Sequence, residues 1–452
     1  NAGEKRIANR TGAPANKAMM INIIIALFAA VQSVKENRML RVVVTFVFAL
    51  TVSVSNLIGN SSKSHAAEIR YQKAPVNTII PDDVMNEFLS APQTVKEKHC
   101  GANNNYPYQE IARLAKNPPK RLFGYNSRMD NREKVEGAIQ TDEFVLRMTE
   151  AFTDAWISGS DEKRQKVLDA LYAWAEADAL TQTKPCAKNG LILSSCSEWT
   201  QSDGQDPSDS KDHQTAQIHI MHLAYGYYLT LADFNNDDPK HKKIQNWINK
   251  FFKWNKKPDD VYIGLDLGWY WPGVLRGTLE NAPSYSAWNP KKLLTKATRE
   301  LNKTVLKDGS IKERTTRGNK ALWYHHTGLI ETIITLEMAR KHSIKIPSSL
   351  EQRIERAGEI FIQGFEDHSY MDKWAKAAHN SVFTPGEQDF WNNLDLPNGN
   401  SWFYIFSYRY PNLDLTKKFD KILAKYPKNG RKDGYIGFGL GCIYAAAKEV
   451  RQ

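Results

Sequence analysis

Residues 141–175 carry the pattern that most narrows the possible folds. After Thr141-Asp142-Glu143, the residues Phe144, Met148, Phe152 and Trp156 recur every fourth position. That spacing puts four large apolar side chains on one face of a helix. Ser158-Gly159-Ser160 ends the helix and offers a cap for the next. Val167, Leu168, Leu171 and Trp174-Ala175 then mark a second helix. Two helices with so short a break predict an antiparallel hairpin. Similar amphipathic segments run at about 214–232, 243–254, 291–306, 320–341, 349–363, 416–424 and 438–449. Strand-type alternation is scarce. Long polar loops are expected at 183–212, 256–290 and 368–400. Helical hairpins joined by long loops predict an all-α fold, an (α/α) toroid. In such an incomplete helical-hairpin barrel the loops build a cleft at one end. A plain bundle is the alternative, but bundle helices are joined by short connections.

With 452 residues and 41% hydrophobic content, the chain can bury one large core or two moderate ones. The 12 Trp, 19 Tyr and 18 Phe serve that core first, and sugar-binding clefts second. The formal charge is +11, but residues 1–66 hold eight basic and two acidic residues. The remaining 53 basic and 48 acidic residues leave +5. A modest positive charge favours an anionic partner. No Lys/Arg-rich run of the nucleic-acid-binding kind occurs, so nucleic acid is not an expected partner.

Residues 1–66 read as an extension followed by a signal peptide. Met39-Leu40-Arg41 opens a short basic region, and "VVVTFVFALTVSVSNLIG" is the apolar stretch after it. Small residues around Ser64-His65-Ala66-Ala67 suit cleavage. Thr45, Thr51, Ser53, Ser55 and Asn56 interrupt the apolar run, which makes it a poorer membrane anchor than a signal. The expectation is a periplasmic or secreted protein, free of the membrane after cleavage, with residues 67–452 as one domain. The four cysteines, Cys100, Cys186, Cys196 and Cys442, then allow two disulfides. Cys186 and Cys196 flank a short loop and are the expected pair. Neither CxxC nor Cys/His metal spacing occurs, so no metal or other cofactor is expected.

Three stretches resemble alginate lyases of the α/α-toroid type. "LYAWAEADALTQT" (171–183) is similar to a Leu-x-x-Trp-Ala-x-Ala-Asp-Ala-Leu stretch of those enzymes. "LKDGSIKERTTRGNKALWYHHTGLIETIITLEMARKHSIKI" (306–346) is similar to a later segment in which an Arg stands seven residues before a Tyr. Here those two are Arg317 and Tyr324. "FGYNSRMDNREKV" (123–135) is a looser match, through Tyr125. The lyases also carry Asn-Asn-His-Ser-Tyr-Trp, whose Asn binds the substrate carboxylate and whose His is catalytic. This chain has Asn281-Ala282-Pro283-Ser284-Tyr285-Ser286, which lacks the histidine in any alignment. With one insertion, Asn281 keeps the Asn role. The resemblance implies a polysaccharide lyase for mannuronan or glucuronan.

The chemistry follows from the bond to be broken. β-Elimination of a 4-linked uronate takes the proton from C5 and expels O4. A donor that neutralises the adjacent carboxylate stabilises the enolate-like charge of the transition state. Arg317 suits that task, with Asn281 as an added neutral donor. Tyr324 is the candidate base and acid. Arg317, Lys320 and a helix N-terminus, capped by Asn319, supply the positive charge that favours a phenolate. In β-mannuronate and β-glucuronate the C5 proton and O4 lie on one face, so one Tyr can serve both proton transfers. Tyr125, Asn126, His213, Gln217, Tyr285 and His325 are the candidate substrate-binding residues. Of the adjacent His325 and His326, at most one can face a cleft. Two rivals remain: a glycoside hydrolase on the same toroid, which needs two carboxylates, and a non-catalytic acidic-polysaccharide-binding protein.

Overall fold

The computed structural model describes residues 71–101, 105–123, 136–184, 187–188, 191–192, 212–258, 270–376, 386–388, 401–411, 414–425 and 436–452. These belong to one compact unit, Ile69–Gln452. Among them are fifteen helices. They are α1 (Asp82–Ser90), α2 (Gln93–Cys100), α3 (Tyr106–Leu114), α4 (Ala138–Ser158), α5 (Asp161–Glu176), α6 (Asp212–Thr230), α7 (Pro239–Phe252) and α8 (Tyr270–Leu279). Then follow α9 (Pro290–Thr304), α10 (Ala321–Lys341), α11 (Ser348–Glu366), α12 (Asp372–Ala375), α13 (Ser401–Arg409), α14 (Asp414–Lys425) and α15 (Leu440–Arg451). The only described strands, β1 (Ala187–Lys188) and β2 (Leu191–Ile192), form one small antiparallel hairpin.

The hairpin expected at 141–175 is α4 and α5. Ser160 caps α5 by accepting a hydrogen bond from the Lys163 N–H at 3.4 Å. Burial then separates two kinds of helix. α6 is buried on every side from Ile220 to Thr230, and α10 from Gly328 to Ala339. A helix apolar all round must lie inside a layer of others. α9 buries only a stripe, Leu293, Leu294, Ala297, Thr298 and Leu301, so it has one wet face. The wall of internal helices backed by amphipathic ones is the (α/α) toroid.

The inner helices run side by side in the same sense. His219 of α6 meets Asp142 of α4 at 2.9 Å, and further along Gly226 meets Phe152. A Cβ on Gly226 would stand 2.3 Å from the Phe152 ring, so the close approach of α4 and α6 requires glycine there. On α10 and α13 the paired positions are His326 with Trp402, then Glu337 with Arg409. On α13 and α15 they are Ser401 with Gly441, then Tyr408 with Tyr444. The segment before α15 joins the two sets. Gly439 N–H donates to Thr153 Oγ1 of α4 at 3.0 Å, and the Phe438 ring packs against Trp156 and Tyr225.

Two features lock this arrangement. Buried Glu337 of α10 is bonded to Arg340, Arg409 and the Tyr444 hydroxyl, while Arg409 also reaches Asp83 of α1. Cys100, the last residue of α2, is disulfide-bonded to Cys442 in α15. The expected Cys186–Cys196 pair lies outside the described residues, and the observed bridge leaves those two as the remaining cysteines. One expected loop is corrected: 256–290 contains α8, an almost wholly buried helix.

Candidate active site

The stretch from Glu313 to Tyr324 is a turn that runs into α10. Gly318 has φ +56°, a left-handed conformation that favours glycine, and Gly318–Lys320 forms a single 3-10 turn. α10 starts directly after it, which places Tyr324 in its first turns. The turn is anchored from below. The Arg314 guanidinium pairs with buried Glu331 at 3.0 Å, and Thr315 Oγ1 accepts from the Ile311 N–H at 2.7 Å. Arg317 Nε donates to the Glu313 carbonyl at 2.6 Å. The Arg317 guanidinium carbon then lies 4.1 Å from the centroid of the Tyr324 ring. Such stacking restrains both side chains. The two residues singled out by the resemblance therefore meet, and both are half-buried rather than sealed in the core.

Asn319 does not cap the helix. The Leu322 N–H donates to Gln388 Oε1 at 3.0 Å, and Gln388 Nε2 donates to the Gly318 carbonyl at 3.1 Å. Gln388 is buried and comes from a segment 66 residues beyond Leu322. Nothing in its local sequence marks it.

Several expected site residues stand elsewhere. His325 is fully buried: its Nδ1 meets Thr315 Oγ1 at 2.8 Å, and its Nε2 donates to the Ala357 carbonyl at 2.8 Å. Both ring nitrogens are occupied in the core, so His325 is not a substrate ligand. Burial lowers its pKa to about 4, which keeps the ring neutral. His326 also turns inward and accepts from Trp402 Nε1 at 3.1 Å. Gln217 is buried and braces α6 against α7 by donating to the Phe251 carbonyl. It too is a packing residue rather than a cleft residue. His213, at the start of α6, stacks on Trp254 with ring centroids 3.9 Å apart. Burial lowers the His213 pKa to about 4.

Asn281 and Tyr285 lie in the turn between α8 and α9. Asn281 has φ +48°, and the turn is tied to α9 by Asn289 Nδ2 donating to the Ala282 carbonyl and Lys292 Nζ donating to the Tyr285 carbonyl. That end of α9 faces the C-terminal end of α10. Burial lowers the His342 pKa there, and the charges of Lys341 and Lys291 lower it further. From Tyr324 to His342 the helix rises about 27 Å, at 1.5 Å per residue. Asn281 and Tyr285 are thus at the opposite end of α10 from Arg317 and Tyr324. They do not share a site with that pair. Tyr125 and Asn126 lie outside the described residues.

Sequence reasoning also missed the Asp142–His219 pair between α4 and α6. One turn on from His219, His222 stacks on Trp271 of α8 at 5.6 Å. Beside the Gly318 turn, Lys373 lies 3.9 Å over the ring of Trp374, whose indole N–H donates to Asp308. Among the described residues no group of three or more His, Cys, Asp or Glu side chains is placed to hold a metal. A groove of about 530 Å³ between α3 and α5 is lined by Tyr108, Gln109, Lys166 and Asp169, and by none of the expected site residues.

No protein-family model matches the sequence, and no curated protein does. Solved structures do. The chain is similar to an alginate lyase. Alginate lyase A1-III from Sphingomonas species A1 aligns over 78% of this chain and 93% of its own, with 15% identity and a TM-score of 0.49. A variant of alginate lyase A1-III complexed with a tetrasaccharide aligns over 78% and 92%, with 14% identity and a TM-score of 0.47.

Proposed function

We propose that the protein is a secreted polysaccharide lyase that cleaves a β-1,4-linked polyuronate, mannuronan (alginate) or glucuronan, by β-elimination. The observation that carries this reading is the stack of Arg317 on Tyr324 at 4.1 Å. In a uronate, C5 is bonded directly to the carboxylate carbon. The group that neutralises the carboxylate and the base that removes the C5 proton must therefore be neighbours. Arg317 binds the carboxylate through its planar fork. The Tyr324 phenolate takes the C5 proton, the C5 electron pair forms the C4–C5 double bond, and the C4–O4 bond breaks. The proton then passes from the Tyr324 hydroxyl to O4, which restores the phenolate. Asn281 has no part in this version, because it stands at the far end of α10.

Export belongs to the same proposal. The buried Cys100–Cys442 bridge supports an oxidising compartment. The mature N-terminus is expected near Ala67 or Glu68, which N-terminal sequencing of protein from the cell envelope checks.

The deciding experiment is digestion of a small panel of polyuronates: mannuronan, guluronan, glucuronan and polygalacturonate. A lyase yields an unsaturated product with new ultraviolet absorbance. New reducing ends without that absorbance would make the protein a hydrolase, and binding without cleavage would make it a non-catalytic polysaccharide-binding protein.

A further inference from the structure

We infer that Gln388 is a positioning residue for the Arg317–Tyr324 pair, an assignment that rests on the lyase reading above. The first N–H groups of a helix have no partner within it, and a nearby Ser, Thr, Asp or Asn normally supplies one. α10 has no side-chain cap of its own. Its Leu322 N–H is bonded instead to the amide oxygen of Gln388. The nitrogen of the same amide holds the Gly318 carbonyl. Gly318 directly follows Arg317, and Leu322 stands two residues before Tyr324. One side chain thus spans the turn that sets where the arginine lies relative to the tyrosine.

The placement of these bonds is selective. They end on the turn between the two reactive residues, not on the core packing of α10, which Arg314–Glu331 and the Glu337 network already hold. Gln388 is 6% exposed, so water competes weakly for its amide. Without it, Gly318–Lys320 is free to unwind by a fraction of a turn. The guanidinium then shifts over the Tyr324 ring while α10 stays folded. A misplacement of about 1 Å is enough to slow a reaction on the order of 10²-fold.

The test uses the full chain with Gln388→Met, which keeps length and volume and removes both hydrogen bonds. The expected result is a fall in kcat/KM of about 10- to 10²-fold per folded molecule. Faster amide exchange at Leu322 and a melting temperature within a few degrees of wild type should accompany it. Gln388→Glu keeps the acceptor for the Leu322 N–H but loses the donor to Gly318. It should protect the Leu322 amide and still lose activity, and it serves if the methionine variant fails to fold. Wild-type kcat/KM with unchanged exchange at Leu322 overturns the inference. So does activity lost only in proportion to unfolded protein. If the wild type makes no unsaturated product from any polyuronate, the lyase reading has failed and the positioning role falls with it. The Leu322 exchange then reports separately on whether Gln388 holds the turn.

Discussion

Cys100 ends α2 and is bonded to Cys442 in the first turn of α15, 342 residues later in the chain, with Cα atoms 5.0 Å apart. The bridge ties the first described helices to the last one. Around it, Phe438 and Gly439 pack on α4 and α6. The start and the end of the domain are thereby fastened together.

That relationship sets the first prediction. In the chain-entropy account, closing so long a loop destabilises the unfolded chain by roughly 5 kcal/mol. Reduction, or Cys442→Ala, should lower the melting temperature by about 5–10 °C. The measurement is a thermal melt with and without reductant. Equal melting temperatures would mean that packing alone holds the two ends.

A second prediction concerns acid. Burial lowers the His325 pKa to about 4 in the folded state, against about 6.5 in an unfolded chain. The unfolded state therefore takes up this proton first as pH falls. The stabilising effect is complete above about pH 6.5 and is lost progressively between about 6.5 and 4. It amounts to about 3 kcal/mol across that window. Denaturation midpoints measured from pH 7 to pH 4 should fall, and His325→Gln should make that part of the curve shallower while the contribution of His213, also lowered to about 4 by burial, remains. A wild-type curve level through the window would contradict the burial argument.

How much of this was readable beforehand depends on which physical signal each part leaves in the sequence. The α4–α5 hairpin was legible because Phe144, Met148, Phe152 and Trp156 repeat with the period of a helix. α8 and α13 were not. "YWPGVLRGTL" and "SWFYIFSYR" are buried on nearly every side, so they show no polar face and no period. Arg317 and Tyr324 were found through the resemblance of 306–346 to alginate lyases, which could be seen because both residues lie in one continuous stretch across one helix start. Asn281 was misplaced because sequence does not say which end of a helical hairpin a turn occupies. His325 looked like a cleft residue until its partners, Thr315 and Ala357, came from other turns of the chain. Gln388 left no local trace, since a lone glutamine gains its role only when the fold brings Leu322 and Gly318 to it.

The third prediction tests carboxylate recognition. Arg317→Lys keeps the charge but loses the planar fork and the stack on Tyr324. On the best polyuronate, kcat/KM should fall on the order of 10²-fold, the scale seen when one donor to a developing charge is removed. If the contact tightens in the transition state, kcat falls as well as kcat/KM. Near-wild-type kinetics would remove Arg317 from the mechanism.

The fourth prediction bears on the reaction itself. Tyr324→Phe removes one hydroxyl and leaves the ring under the Arg317 guanidinium, so folding should be preserved. General acid–base groups contribute about 10²–10⁴-fold in rate. A residue that both takes the C5 proton and returns it to O4 stands at the upper end of that range. The initial rate of unsaturated-product formation should therefore drop by about 10⁴-fold, with substrate binding largely kept because Arg317 is intact. A thermal melt confirms that the variant is folded. Of the nearby histidines, His325 and His326 are both turned into the core and cannot reach a substrate to take over the proton. A folded Tyr324→Phe protein within a few-fold of wild type would thus leave the Arg317 end of α10 without its base. The search would then move to His213 and to the Asp142–His219 pair on α4 and α6.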